Sequence, residues 1–211
     1  MTFGFMIEHM YKPLPIAEMP EMVYNIIINK YCYGVIMELW DVYDINMQKT
    51  GQTVGRGQQM ADDEYHLVAH ICIFNSHGQL LIQHRQPFKK GFSNLWDISA
   101  AGSALAGETS RQAAEREVRE EIGIDLSINT RPSFNISFDR GFDDFYLVDW
   151  DGDISELNLQ YEEVESVKWA TREEILSMIA AGTFVPYYPS LINMIFDMKN
   201  SPVRYGAHFR E

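Results

Sequence analysis

The sequence predicts an α+β domain, an α/β/α sandwich with a mixed β-sheet between helices. Two observations predict it. Short apolar runs bounded by Asn, Gly and Pro recur along the chain and read as strands, some of them joined by hairpin turns. Between and after them lie segments with helix start and stop signals, interleaved with the strands so that both faces of a sheet are covered.

Each element has its own justification. Glu38 to Tyr43 reads as a strand and Asp44–Asn46 as a turn. Gly51, Gly55 and Gly57 mark a loop-rich return. His66 to Phe74 is a strand carrying Leu67, Val68, Ile71, Ile73 and Phe74. Asn75-Ser76-His77-Gly78 forms a hairpin turn, and Leu80-Leu81-Ile82 is the partner strand. Trp96 to Ala100 is a short strand followed by a loop through Gly102 and Gly107. Thr109 and Gln112 form a capping box that opens a helix, and Gly123 suits its C′ position. Strands follow at 133–138, 143–150 and 164–169. Thr171-Arg172-Glu173-Glu174 opens a second helix that Gly182 closes, and Pro189 to Lys199 forms a third. Residues 1–36 read differently: Pro13, Pro15 and Pro20 punctuate them, and Val23 to Ile28 is a short strand or nothing stable. The expected organisation is an N-terminal extension over 1–36 and one folded domain over 37–211, with no internal repeat.

Composition limits the function classes. The 211 residues, 46% hydrophobic and 22% charged, suffice for one domain with additions and argue against wholesale disorder. The formal charge of −13 opposes nonspecific binding of a nucleic acid polymer, while leaving room for a small phosphorylated ligand held by local cations. Met22 to Trp40, the most apolar stretch, is broken by Asn25, Asn29, Lys30 and Glu38, so no membrane span is expected. Glu8, His9 and Lys12 stand where a signal peptide needs an apolar run. Cys32 and Cys72 read as reduced core thiols of a cytoplasmic protein.

The first helix carries the chemistry. At 100° per residue, with Glu117 as zero, Glu121 falls at about +40° and Glu120 at about −60°. Three carboxylates thus share one arc with Ala113, beside a core stripe of Ala114, Val118 and Ile122, while Glu115 and Arg119 face solvent. Like charges at these spacings cost about 0.2–0.5 kcal/mol per pair. A hard divalent cation such as Mg²⁺ would reverse that sign. Arg116, one turn before Glu120, is placed to orient it.

The spacing extends beyond the helix: Gly102, five residues, Glu108, seven residues, Arg116-Glu117, Val118, one residue, Glu120-Glu121, one residue, Gly123, Ile124. This is a full match to the Nudix box, and seven fixed identities at roughly 7% each make chance agreement at one position on the order of one in a hundred million. By this motif the chain resembles the Nudix hydrolases. The resemblance implies a mixed sheet between helices and hydrolysis of a nucleoside-diphosphate-type or other small diphosphate with Mg²⁺ or Mn²⁺. It makes Glu117, Glu120 and Glu121 metal ligands, together with the Gly102 carbonyl, and pairs Glu108 with Arg116 or with the metal. Glu120, Glu117, Arg116 and Glu108 are then the catalytic set, with the general base open among the box glutamates, Asp143, Asp144, Glu162 and Glu163.

A second resemblance covers roughly 38–190. Glu38 to Asp44, Gly55-Arg56-Gly57, Tyr65 to Val68, Leu80 to Lys90 with Trp96, and Phe184 to Tyr187 are similar to the isopentenyl-diphosphate isomerase-like branch. It implies that Arg85 and Lys89 contact the substrate diphosphate, and that His66 matches a metal-binding histidine of the isomerase. Ala101 and Ser103 stand where the isomerase has its Cys and its His, and the box here is intact. Hydrolysis is therefore the leading expectation. The isomerase and a non-catalytic nucleotide-binding module are the alternatives. Trp96, Phe92, Phe142 and Tyr146 are candidate stacking partners for the substrate, and a homodimer is a compatible assembly.

Overall fold

The computed structural model describes residues 37–200. The Val23 to Ile28 run and Cys32 lie outside the described residues. A two-stranded hairpin comes first, β1 (Leu39–Tyr43) against β2 (Lys49–Gly55). A seven-stranded mixed sheet follows: β3 (His66–Phe74), β4 (Leu80–Arg85), β5 (Trp96–Asp97), β6 (Ala100–Ser103), β7 (Phe134–Phe138), β8 (Gly141–Asp149) and β9 (Val164–Ala170). Three helices accompany it: α1 (Ser110–Ile122), α2 (Arg172–Ala180) and α3 (Pro189–Asn200).

The sheet is forked. β3 and β4 meet at their hairpin, where Phe74 opposes Leu80, and then part. β3 goes on between antiparallel β6 and parallel β8, while β4 goes on between β5 and β9. Ser99, fully buried, spans the fork: its Oγ accepts from Ile73 N at 2.8 Å and donates to Leu81 O at 2.6 Å. The backbone groups freed by the split are thereby satisfied.

Alternation along β3 sorts its residues to two cores. Leu67, Ala69, Ile71 and Ile73 pack with Ala114, Val118 and Ile122 of α1. Cys72 and Phe74 face the other way and pack, with Leu80 and Ile82, against Ile175 of α2 and Ile192, Ile195 and Phe196 of α3. The result is the expected α/β/α layering, and each fully buried aliphatic side chain contributes about 1.5–3 kcal/mol. Cys72 is a free core thiol whose pKa burial pushes up.

Local signals held where local chemistry sets them. Thr109 Oγ1 accepts from Gln112 N, and Gln112 Oε1 accepts from Thr109 N. Gly123 closes α1 at φ 75°, a left-handed conformation that suits glycine. Thr171 and Glu174 repeat the capping box at α2. Two expectations fail. The glycine-rich stretch expected as a loop is strand β2, held by backbone pairing to β1 with mostly exposed side chains. The single strand expected over 96–100 is two, because the chain crosses the fork at Ile98 and Ser99; Gly102 therefore lies in β6, not in a loop. Among the described residues no helix is long and apolar enough to cross a membrane.

Candidate active site

The Nudix-box residues converge where α1 packs on β6. Gly102 leaves the space that the Glu117 carboxylate occupies: a Cβ there would meet that carboxylate, and Glu117 would have to shift. The Glu117 carboxylate therefore lies directly over the β6 backbone. Glu121 goes deeper and is buried, 4% exposed. Its Oε2 accepts from Gln83 Nε2 of β4 at 3.0 Å and approaches Ala101 N at 3.4 Å. Glu120 is half exposed.

Arg116 ties the box together. Its Nε and Nη2 donate to the two oxygens of Glu108 at 2.8 and 3.0 Å, and Nη2 also reaches Ser103 O. Its Nη1 donates to Glu117 Oε1 at 2.6 Å and to Glu120 Oε2 at 3.1 Å. Glu108 Oε2 further accepts from Leu105 N. Of the two roles open to Glu108, the structure places it with Arg116, as a staple between the loop and the helix. Burial opposes the Arg116 charge, but Glu108 and Glu117 outweigh it and raise its pKa.

Electrostatics single out the two inner carboxylates. Burial raises the Glu117 pKa, with Arg116 pulling against it. Burial, and then the charge of Glu117, push Glu121 up to about 8, while Gln83 and Lys89 act in the opposite direction. Among the described residues no three Asp, Glu, His or Cys side chains converge as a metal-holding group. The chemistry of the donor set nevertheless fits a hard divalent cation: carboxylate oxygens of Glu117, Glu120 and Glu121 beside a main-chain carbonyl at Gly102. Arg116 Nη1 bridges Glu117 and Glu120 as a cation would.

Cations border the carboxylates. Arg85 donates from Nη1 to Asp97 at 3.2 Å and from Nε and Nη2 to Gly91 O. Lys89 pairs with Glu163, which places that candidate base beside the site. Burial lowers the Lys89 pKa, Arg85 and Arg56 add to the effect, and Glu121 opposes it. Arg56 pairs with Glu38 at 2.8 Å. Asp97 is fully buried, and its pKa is raised by that burial although Arg85, Tyr187 and Ile98 N oppose the rise. Tyr187 Oη donates to Asp97 Oδ1 at 2.9 Å.

Several other expected residues do not join this cluster. His66 donates from Nδ1 to Arg140 O at 2.9 Å and stacks on Trp40, as a satisfied strand histidine. Asp144 accepts from Asn135, Asp143 pairs with His70, and Glu162 is exposed. Phe142 and Tyr146 are core residues, 3% and 2% exposed, and cannot stack on a substrate. β8 turns its even-numbered residues here toward α1. Phe92 is exposed, and Trp96 lies between His84 and Lys168. Sequence reasoning missed Gln83, Asp97 and Tyr187. The first two carry a faint signal, as a polar residue closing the apolar run Leu80-Leu81-Ile82 and a carboxylate between Trp96 and Ile98.

A family model, the NUDIX domain, matches residues 64–190. The chain belongs to the Nudix hydrolase family. Over 167 residues it is 52% identical to an uncharacterised Nudix hydrolase of Listeria innocua, covering 78% of this chain and 97% of that protein. A crystal structure from Deinococcus radiodurans aligns with a TM-score of 0.61 at 26% identity, covering 75% of this chain and 97% of that one. An isopentenyl-diphosphate Delta-isomerase of Corynebacterium diphtheriae is 28% identical over 148 residues, 64% of this chain and 79% of that protein. Both resemblances read from the sequence thus have relatives behind them, and the Nudix fold is the one observed. Gln83, Arg85 and Asp97 lie within the matched Nudix domain, so the cation-lined flank belongs to the same domain as the box.

Proposed function

We propose that this Nudix protein hydrolyses the diphosphate bond of a small substrate, of nucleoside-diphosphate type or another small diphosphate, with Mg²⁺ or Mn²⁺. The observation that carries the reading is the juxtaposition of Glu117, Glu120 and Glu121 with the cations Arg85 and Lys89. A bound Mg²⁺ would neutralise phosphate charge and supply an activated water. Glu117, Glu120, Glu121 and the Gly102 carbonyl would hold it. Arg85 and Lys89 bind and orient the diphosphate, with Arg85 able to present its fork once it exchanges its contacts to Gly91 O. Arg116 keeps Glu117 and Glu120 in place, and Glu108 fixes Arg116.

The isomerase alternative finds no support at the site. Ala101 and Ser103 offer no group that titrates near neutral pH where acid–base chemistry on an alkene would need one. The non-catalytic module accords poorly with an intact box. The test is a panel of diphosphate compounds incubated with Mg²⁺, following phosphate or monophosphate release. Release from at least one compound, lost with EDTA and in a Glu120→Gln variant, is expected. No release from any compound would refute the reading.

A further inference from the structure

The hairpin β1–β2 lies ahead of residues 64–190, the span that matches the Nudix family model. Five of the seven β2 residues are exposed, so this strand adds little to either core. The hairpin is nevertheless fixed at two places. Tyr43 and Tyr65, at the entry to β3, exchange backbone hydrogen bonds at 2.8 and 3.0 Å. The second place is the loop between β6 and α1, which carries Glu108.

That loop is gripped along its backbone. Ala104 N donates to Leu67 O of β3, and Ala106 N donates to Leu39 O of β1, both at 2.8 Å. Gly107 N donates to Asp41 Oδ2 at 2.8 Å. Lys49 Nζ, from β2, donates to the same Asp41 oxygen at 2.6 Å and to Glu108 O at 2.9 Å. Asp41 and Lys49 thus close a clip over Gly107 and Glu108, one holding an N–H and the other a C=O. Both contacts to the loop are charge-assisted, which makes them stronger than neutral hydrogen bonds. The Asp41 side chain is only 17% exposed, so water competes weakly for it.

The clip bears directly on the carboxylate site. The Glu108 oxygens take the Arg116 fork, and Arg116 Nη1 bridges Glu117 and Glu120. A planar, bidentate pair passes on a displacement of the Glu108 backbone, because the fork fits in one orientation.

We propose that Asp41, with Lys49, is a positioning residue for the carboxylate site: it holds the Glu108 loop so that Arg116 keeps Glu117 and Glu120 in place. The hairpin is then part of the catalytic unit, although it precedes the matched domain. This rests on the reading of the box carboxylates as metal ligands.

The test titrates the full chain with Mn²⁺ alone, following free Mn²⁺ by electron paramagnetic resonance. Asp41→Ala and Lys49→Met should each weaken Mn²⁺ binding about tenfold, the low end for residues that orient metal ligands. Lys49 is 41% exposed, so its variant reads the clip even where Asp41→Ala folds poorly. Asp41→Asn, whose amide oxygen can still accept from Gly107 N, should fall between Asp41→Ala and wild type. In a Glu108→Ala background, Asp41→Ala should cost less than twofold more, because the route through Glu108 is already cut. Thr50→Val removes a hairpin bond to Val42 O that is remote from the clip, and should leave Mn²⁺ affinity within twofold. On any compound that is cleaved, Asp41→Ala should lower kcat with KM little changed, since Arg85 and Lys89 are held by Asp97 and Glu163, outside the clip.

Mn²⁺ affinity within twofold of wild type in both clip variants would overturn the proposal. So would an equal loss in Thr50→Val, or an undiminished loss in the Glu108→Ala background. Asp41-dependent Mn²⁺ binding without cleavage of any compound would sink the hydrolase reading alone. Cleavage and Mn²⁺ binding that are both indifferent to Asp41 and Lys49 would sink this proposal alone.

Discussion

Replacing Glu121 by Gln should stabilise the metal-free protein at alkaline pH while abolishing turnover. Glu121 is buried against Gln83 and Ala101 N, and burial together with Glu117 raises its pKa to about 8 from an ordinary 4.5. Between those values the folded chain keeps a proton that the unfolded chain has released, so the stability from this group falls as pH rises. Each pH unit in the window removes about 1.4 kcal/mol, a total on the order of 5 kcal/mol, complete above pH 8. Gln carries no such charge, and its amide oxygen can still accept from Gln83 Nε2. In EDTA at pH 5 the two proteins should melt together. At pH 8.5 the variant should melt higher by on the order of 10 °C, taking about 2–4 °C per kcal/mol for a chain of this size. Thermal melts from pH 5 to 9 read this directly, and a diphosphate-cleavage assay reads activity. Parallel melting profiles for both proteins would refute the buried-charge argument. Full activity in the variant would refute the metal-ligand assignment.

Three further outcomes are expected. Arg85→Ala should lower kcat/KM for any diphosphate substrate about ten- to a hundredfold, since a charge-assisted contact contributes roughly 1.5–3 kcal/mol; a change under twofold in steady-state kinetics would make Arg85 a bystander. Arg116→Ala should cost about 2–3 kcal/mol in denaturant unfolding, because it strands the half-buried Glu108 and Glu117. Arg116→Lys should recover little of that, having no fork for Glu108, so full recovery would contradict the bidentate geometry. Isopentenyl diphosphate with Mg²⁺ should give no useful dimethylallyl diphosphate, and robust product, lost in Glu121→Gln, would promote the isomerase reading.

What could be read ahead of the structure divides by the range of the interactions. Capping boxes at Thr109 and Thr171 and the left-handed Gly123 depend on residues three or four apart, and they stand where the sequence put them. The arc of Glu117, Glu120 and Glu121 follows from helical periodicity alone, and so does the buried stripe of Ala114, Val118 and Ile122. The burial of Glu121 does not, because it depends on Gln83, 38 residues away on another arm of the sheet. β2 was missed because its pairing is backbone to backbone, leaving no alternation for a pattern to reveal. The break between β5 and β6 was missed because the fork exists only once β3 and β4 have diverged. Phe142 and Tyr146 were misplaced as stacking partners because the facing of a strand is fixed by its neighbours, and here β3 turns those two rings into the core.

The charge balance of the site follows from the same placement. In a chain of formal charge −13, the cations near the box are already partnered: Arg85 with Asp97, Lys89 with Glu163, Arg56 with Glu38. On the proposed reading a diphosphate does not meet bare charges; it exchanges with carboxylates already in position. The gain is the difference between a phosphate and a carboxylate partner, smaller than a full ion pair and with less side-chain ordering left to do. Asp97, fully buried and bonded to Tyr187 and Ile98 N, keeps its own partners if Arg85 swings toward phosphate. Glu163 has no such second support among the described side-chain hydrogen bonds, so on losing Lys89 its carboxylate would be left free beside the diphosphate. On that reading Glu163 would be the member of the open set of candidate bases whose release is coupled to substrate binding.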